Sequence, residues 1–147
     1  MSAAHTTIGI GCVALFAAAG VWGAWRWYRV EPSTLFWRLL RTAQVVYLLW
    51  LVSTGVLLLA GDRPAGGDLF YVYALLPVLV SFLGEQLRIA SAQAVLDTRG
   101  LADAQAVGAL PADRQRSVVL AIVRREMGVM TLAAVTCAGL LARGVFL

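Results

Sequence analysis

Apolar residues run along this chain in four long stretches divided by short polar punctuation. The first reads Thr6 to Tyr28 and is uncharged up to Arg26. Glu31-Pro32-Ser33-Thr34 follows, supplying a helix stop and a new N-cap. The second stretch reads Leu35 to Gly61, and Gly61 to Asp68 ("GDRPAGGD") is a turn by composition. The third begins at Leu69, carries no charge until Glu85, and stays helical in pattern to about Thr98, where Arg99-Gly100 ends it. A polar, alanine-rich linker punctuated by Gly108 and Pro111 leads to the last helix, with Pro111 in its first turn and Asp113 near its N-terminus. Each stretch approaches or exceeds the roughly 20 residues that cross about 30 Å of hydrocarbon as a helix. The pattern predicts an all-α, polytopic membrane protein. It is a single domain over 1–147, a four-transmembrane-helix bundle with spans at about 6–28, 35–61, 69–98 and 112–145.

Composition agrees. Of 147 residues, 61% are hydrophobic and 14% charged, against roughly half and a quarter in a soluble domain. Such a surplus has no core large enough to hide in, which makes the lipid bilayer the first partner. The first stretch reads as a retained helix rather than a cleaved signal. It lacks a basic leading region and ends in Trp and Arg.

All basic residues are arginine, and they sit at helix ends, so the net charge of +4 points to topology rather than nucleic acid. The first link and its flanks hold Arg26, Arg29, Arg38 and Arg41. The third holds Arg88, Arg99, Arg114, Arg116, Arg124 and Arg125, and the opposite side only Arg63 and Arg143. The positive-inside rule then places both basic links in the cytoplasm and both termini outside, in a multi-pass protein of a bacterial cytoplasmic (inner) membrane. Trp22, Trp25, Trp27, Tyr28, Phe36 and Trp37 form an inner aromatic belt; Phe70, Tyr71 and Tyr73 form an outer one.

The last two helices are too long for one bilayer, at about 45 Å each for 1.5 Å per residue. Their excess is expected to project as a cytoplasmic hairpin. Ile89, Ala92 and Leu96 would pack against Val118, Val119 and Ile122, unless Ser117 to Val123 lies flat on the membrane surface. Depth counted from the outer ends brings polar groups of three helices to one plane. Glu85 lies about 24 Å inward of Leu69, Glu126 about 25 Å inward of Arg143, and Gln44 at about the same depth below Gly61. Arg38, Arg41, Arg88, Arg124 and Arg125 lie close by in sequence. A charge stranded at the bilayer centre costs at least about 2.5 kcal/mol, so Glu85 and Glu126 are each expected to pair with an arginine of a neighbouring helix. Three readings follow: an interhelical ion-pair clamp, a site for an anion or lipid headgroup at an arginine excess, or a proton relay.

Other features carry less. Ala19 with Gly23, Gly20 with Ala24, and Ala134 with Ala138 and Ala142 give small residues at four-residue spacing. This serves packing within the chain and between copies equally well. Pro77 should kink its helix. Cys12 and Cys137 lie in apolar runs and read as small hydrophobes. His5 is the only histidine and falls at an expected frayed terminus. One chain therefore lacks the facing histidine pair that membrane haem sites often use, and no cofactor or metal is expected. No GxSxG, HExxH, P-loop or dinucleotide fingerprint occurs, and no catalytic constellation suggests an enzyme.

The segments "LFYVYALLPVLVSFLGEQLRIASAQAVLDTRGL" and "LPADRQRSVVLAIVRREMGVM" resemble uncharacterised four-helix integral membrane proteins encoded in high-GC bacterial genomes. The resemblance implies a fold and no site. The expected function is that of a non-enzymatic accessory subunit or oligomeric scaffold. Its basic cytoplasmic face would contact partners or anionic lipid, as a homo-oligomer or within a larger membrane complex. The alternatives are a small oligomeric transporter or channel using the Glu/Arg layer, and a quinone- or haem-binding redox subunit.

Overall fold

A computed structural model describes residues 3–64 and 66–146. Residue 65, within the predicted turn 61–68, lies outside the described residues. The described chain is helical: α1 (Ala3–Arg29), α2 (Thr34–Leu59), α3 (Gly67–Thr98), a short α4 (Ala104–Gly108) and α5 (Ala112–Val145). The linker expected between the third and fourth stretches thus contains a helical turn, begun where Asp103 Oδ1 accepts from the Ala106 amide at 2.9 Å. Three helices, α1, α2 and α3, are long and apolar enough to cross a membrane. α5 is not among them; its first half carries Asp113, Arg114, Arg116, Arg124, Arg125 and Glu126.

The links follow from local chemistry. α1, α2 and α3 each end in the same way, with paired backbone bonds closing over a residue of positive φ. At the end of α2 that residue is Gly61 (φ 92°) and at the end of α3 it is Gly100 (φ 67°). At the end of α1 it is Val30 (φ 52°), whose amide bonds to Trp27 O while that of Glu31 bonds to Arg26 O. A β-branched residue in this left-handed region is strained, because its Cβ crowds the following carbonyl. An ion pair between Arg26 and Glu31 at 2.5 Å spans this link. Ser33 then opens α2, its Oγ accepting from the Phe36 amide at 3.2 Å and from Trp22 Nε1 at 3.0 Å.

α5 is the central element. It packs along α1 on one side and α3 on the other, and α2 packs on α1. α1 and α5 run antiparallel. Gly9 lies beside Val145, Gly20 beside Val135, Gly23 beside Thr131, and Gly128 beside Trp27. The small-residue spacing of α1 is therefore used within the chain, letting two helices approach closely. α2 and α3 share no extended backbone contact. Long side chains join them: Tyr47 Oη donates to Ala74 O at 2.5 Å, and Trp50 meets Phe70 with ring centroids 6.2 Å apart.

The core holds Phe16, Phe36, Leu40, Tyr47, Trp50, Met127, Met130 and Leu141. Phe36 and Phe70 were expected in the aromatic belts, but both are buried. Each sits on the face of its helix turned to the other helices, where an apolar ring is worth more inside than at an interface. His5 also departs from expectation. It is buried, not frayed, stacked on Trp50 at 5.1 Å with its ring nitrogens beside Ser53 Oγ and Thr54 Oγ1. Cys12 and Cys137 are buried and unbridged. α3 continues through Pro77, which is itself buried. The outer faces of α2 and α3 are apolar, with Leu49, Val52, Leu79 and Phe82 exposed, as a lipid-facing surface requires and an aqueous one does not.

Toward the α4 end, the α3/α5 extension keeps part of the expected stripe, with Ala92, Leu96 and Ile122 half-buried. Val95 and Val118 are the buried residues, while Ile89 and Val119 are exposed. Arg99 Nη1 donates to Ser117 Oγ at 2.9 Å, tying the two helices near their ends.

Candidate functional site

Depth counting gathers eight residues into one layer, and the structure divides them into two groups. The first is a chain of ion pairs running from α2 through α3 to α5. Arg41 Nη1 of α2 lies 2.6 Å from Glu85 Oε1 of α3. Arg88, one helical turn beyond Glu85, places Nε 3.0 Å from Glu85 Oε2 and Nη1 3.5 Å from Glu126 Oε1 of α5. Gln44 joins at the α2 end, its Oε1 accepting from Arg41 Nη1 at 2.7 Å. Both carboxylates are partly buried, at 23% side-chain exposure, and each has an arginine from a neighbouring helix. Glu85 meets two cations and Glu126 one, and Arg88 is the shared link.

Trp37 belongs to this chain although sequence reading placed it only in an aromatic belt. The guanidinium of Arg88 stands 5.4 Å from its ring centroid and that of Arg41 6.0 Å. The ring face attracts cations and keeps both arginines near their carboxylates. The four-residue spacing of Trp37 and Arg41 on α2 was a visible signal for half of this arrangement. The contact from Arg88 crosses between helices and had none.

The second group is Arg38, Arg124 and Arg125, all exposed and without an acidic partner among the described residues. Arg124 and Arg125 stand on a face of α5 next to that of the Glu126 contact. There they line an open groove of about 630 Å³ with Trp27, Val30, Gly128 and Leu132. Neighbouring residues on a helix point about 100° apart, so Glu126 can reach Arg88 while the two arginines before it line a groove bordered by α1 and by Ser91 of α3.

A smaller hollow of about 250 Å³ lies between α2 and α3, lined by Arg41, Gln44, Tyr47, Val78, Ser81 and Glu85. It is the gap left where the backbones of α2 and α3 stand apart. At its inner wall Ser81 Oγ and Cys137 Sγ are 3.7 Å apart, and Cys137 Sγ lies 3.6 Å from Pro77 O. No group of three or more potential metal ligands occurs among the described residues. The arrangement neutralises two carboxylates between three helices and leaves an uncompensated pair of guanidiniums on a neighbouring face. Comparison with protein-family models, curated proteins and solved structures finds no match for this chain.

Proposed function

We propose that the chain is a non-enzymatic integral membrane protein of the bacterial inner membrane, acting as an accessory subunit or oligomeric scaffold. In this reading α5 is the fourth span of a four-helix bundle. At about 51 Å for 1.5 Å per residue it is long enough, and its lower apolarity is offset by its place between α1 and α3. Both termini lie outside, and the α3/α5 extension projects into the cytoplasm.

One observation carries the functional part. Glu85 and Glu126 are compensated within the chain by Arg41 and Arg88, whereas Arg38, Arg124 and Arg125 near the same end are exposed and unpaired among the described residues. Polar chemistry inside the bundle is thus spent on holding helices together, and the charge left over faces outward, where it can meet partners or anionic lipid. Native mass spectrometry and light scattering after extraction in mild detergent test this. The expected result is a stable oligomer or complex that weakens when Arg38, Arg124 and Arg125 are changed together to Gln. A stable monomer indifferent to lipid would refute it.

A second reading, a small oligomeric transporter or channel, draws support from the hollow between α2 and α3 that Arg41, Gln44 and Glu85 help line. It requires liposome flux that falls on Glu85→Gln; unchanged flux removes it.

A further inference from the structure

The groove beside Trp27 has a shape and charge that single out one kind of ligand. Its α5 wall is a stripe from Leu120 and Ala121 through Arg124 and Arg125 to Gly128, Val129 and Leu132. The stripe is about 18 Å long at 1.5 Å per residue. Polar recognition therefore sits in the middle, and beyond it, toward the bundle's apolar interior, the wall is wholly hydrocarbon. A second hollow of about 470 Å³ adjoins the first. It is lined by Ala24, Trp27, Tyr28, Val30 and Arg124. Trp27, Val30 and Arg124 are common to both. Because α1 and α5 run antiparallel, Ala24 and Leu132 lie on the same side of Arg124. The second hollow and the Gly128–Leu132 part of the first thus descend from the arginine level in one direction, with Trp27 lining both.

Sequence and packing build this divider. Trp27 rests on Gly128, where an added Cβ would come within 2.8 Å of the indole ring. Any side chain at 128 would push the indole out of place. Val30, which borders both hollows, holds the strained positive φ at the end of α1 (φ 52°), a position where glycine is favoured.

We propose that this double groove binds one anionic diacyl glycerophospholipid of the surrounding membrane. Its phosphate lies at Arg124 and Arg125, and its two acyl chains pass on either side of Trp27. Three features decide the class. Two guanidiniums in hollows lined by no carboxylate favour an anion and repel a choline headgroup, since no acid in the groove balances the ammonium. A free inorganic anion would fill little of the space and leave its apolar walls unused. The second hollow and the Gly128–Leu132 part of the first, on one side of a shared cation, match two chains leaving one headgroup. The inference rests on the reading that this end of the bundle lies at a headgroup boundary.

The test reconstitutes the full chain in nanodiscs of phosphatidylcholine mixed with phosphatidylglycerol and reads retained lipid by native mass spectrometry. Wild type should keep one phosphatidylglycerol in preference to phosphatidylcholine. Arg124→Gln with Arg125→Gln should lower that retention about 30-fold, from the loss of two arginine–headgroup attractions. Lysine at both positions should restore most of it, and Arg63→Gln, at the other end of the bundle and outside both hollows, should leave it unchanged. Leu132→Trp, which fills one hollow while keeping both charges, should also lower retention. Equal retention of the two lipids, or retention untouched by the double Gln variant, overturns the proposal. Displacement of the lipid by inorganic phosphate with no effect of Leu132→Trp overturns the lipid as ligand in favour of a free anion. Membrane extraction with alkaline carbonate runs in parallel. A chain released by carbonate defeats the membrane reading itself, whereas an integral chain without lipid preference defeats only this site.

Discussion

Gly23→Ala tests the tightest glycine contact among the described residues. A Cβ at residue 23 would fall 2.5 Å and 2.8 Å from two ring carbons of Phe36, and against Thr131 Oγ1. Neither neighbour can withdraw. Phe36 is fully buried with its ring 5.1 Å from that of Trp37, and Thr131 is 2% exposed on the central helix. Overpacking of this kind costs about 1–3 kcal/mol. In the other direction, Ala is favoured over Gly within a helix by about 1 kcal/mol. The two effects are separated by Gly11→Ala in the same helix, where an added Cβ meets nothing within 4 Å. Gly11→Ala should be neutral to stabilising by up to about 1 kcal/mol. Gly23→Ala should fall below it by about 1–3 kcal/mol, a shift of roughly 5- to 150-fold in the folded-to-unfolded ratio. Reversible denaturant titration in detergent micelles, followed by tryptophan fluorescence or far-UV circular dichroism, reads both variants on one scale. If Gly23→Ala proves as stable as Gly11→Ala, the α1/α2/α5 junction is not packed as described.

Two further perturbations probe the polar chain and the α2–α3 gap. Arg88→Gln removes a cation from both Glu85 and Glu126 and leaves Glu126 with no arginine among the described residues. It should destabilise the fold by about 1–3 kcal/mol. Arg41→Gln should cost less, under about 1 kcal/mol, because its partner keeps Arg88 and the Arg41 side chain is 49% exposed. Adding Glu126→Gln to Arg88→Gln should recover part of the loss in the same denaturation assay, and the reverse order of the two arginine variants would contradict the shared role of Arg88. Tyr47→Phe deletes the 2.5 Å bond to Ala74 O and should cost about 1 kcal/mol. It should also raise amide hydrogen exchange in the middle of α3, and unchanged exchange there would mean that Tyr47 does not tie α2 to α3.

Much of this protein was legible in its residue pattern. Long apolar runs have one low-energy form in lipid, the helix, since each backbone group must find its partner within the segment. Gly61, Gly100, Pro32 and Ser33 mark helix ends through backbone conformations and caps that need no distant neighbour. Counting at 1.5 Å per residue also set depth, which is why Arg41, Gln44, Glu85, Arg88 and Glu126 could be assigned to one layer before any contact was known. Direction around each helix was a different matter. A residue's face has meaning only against a neighbour, and the order α2, α1, α5, α3 arises from which surfaces interlock: glycines of α1 on α5, and long side chains across α2 and α3. That order buried Phe36, Phe70 and His5. It put Trp37 between two arginines, and it turned Glu126 toward Arg88 while Arg124 and Arg125 turned toward Trp27. The sequence by itself determined helices, their ends and the level of each charge, because these depend on local geometry. Tertiary packing alone decided which charges are neutralised and which remain open to a ligand, because ion pairing over a few ångströms depends on the face a side chain occupies as much as on its depth.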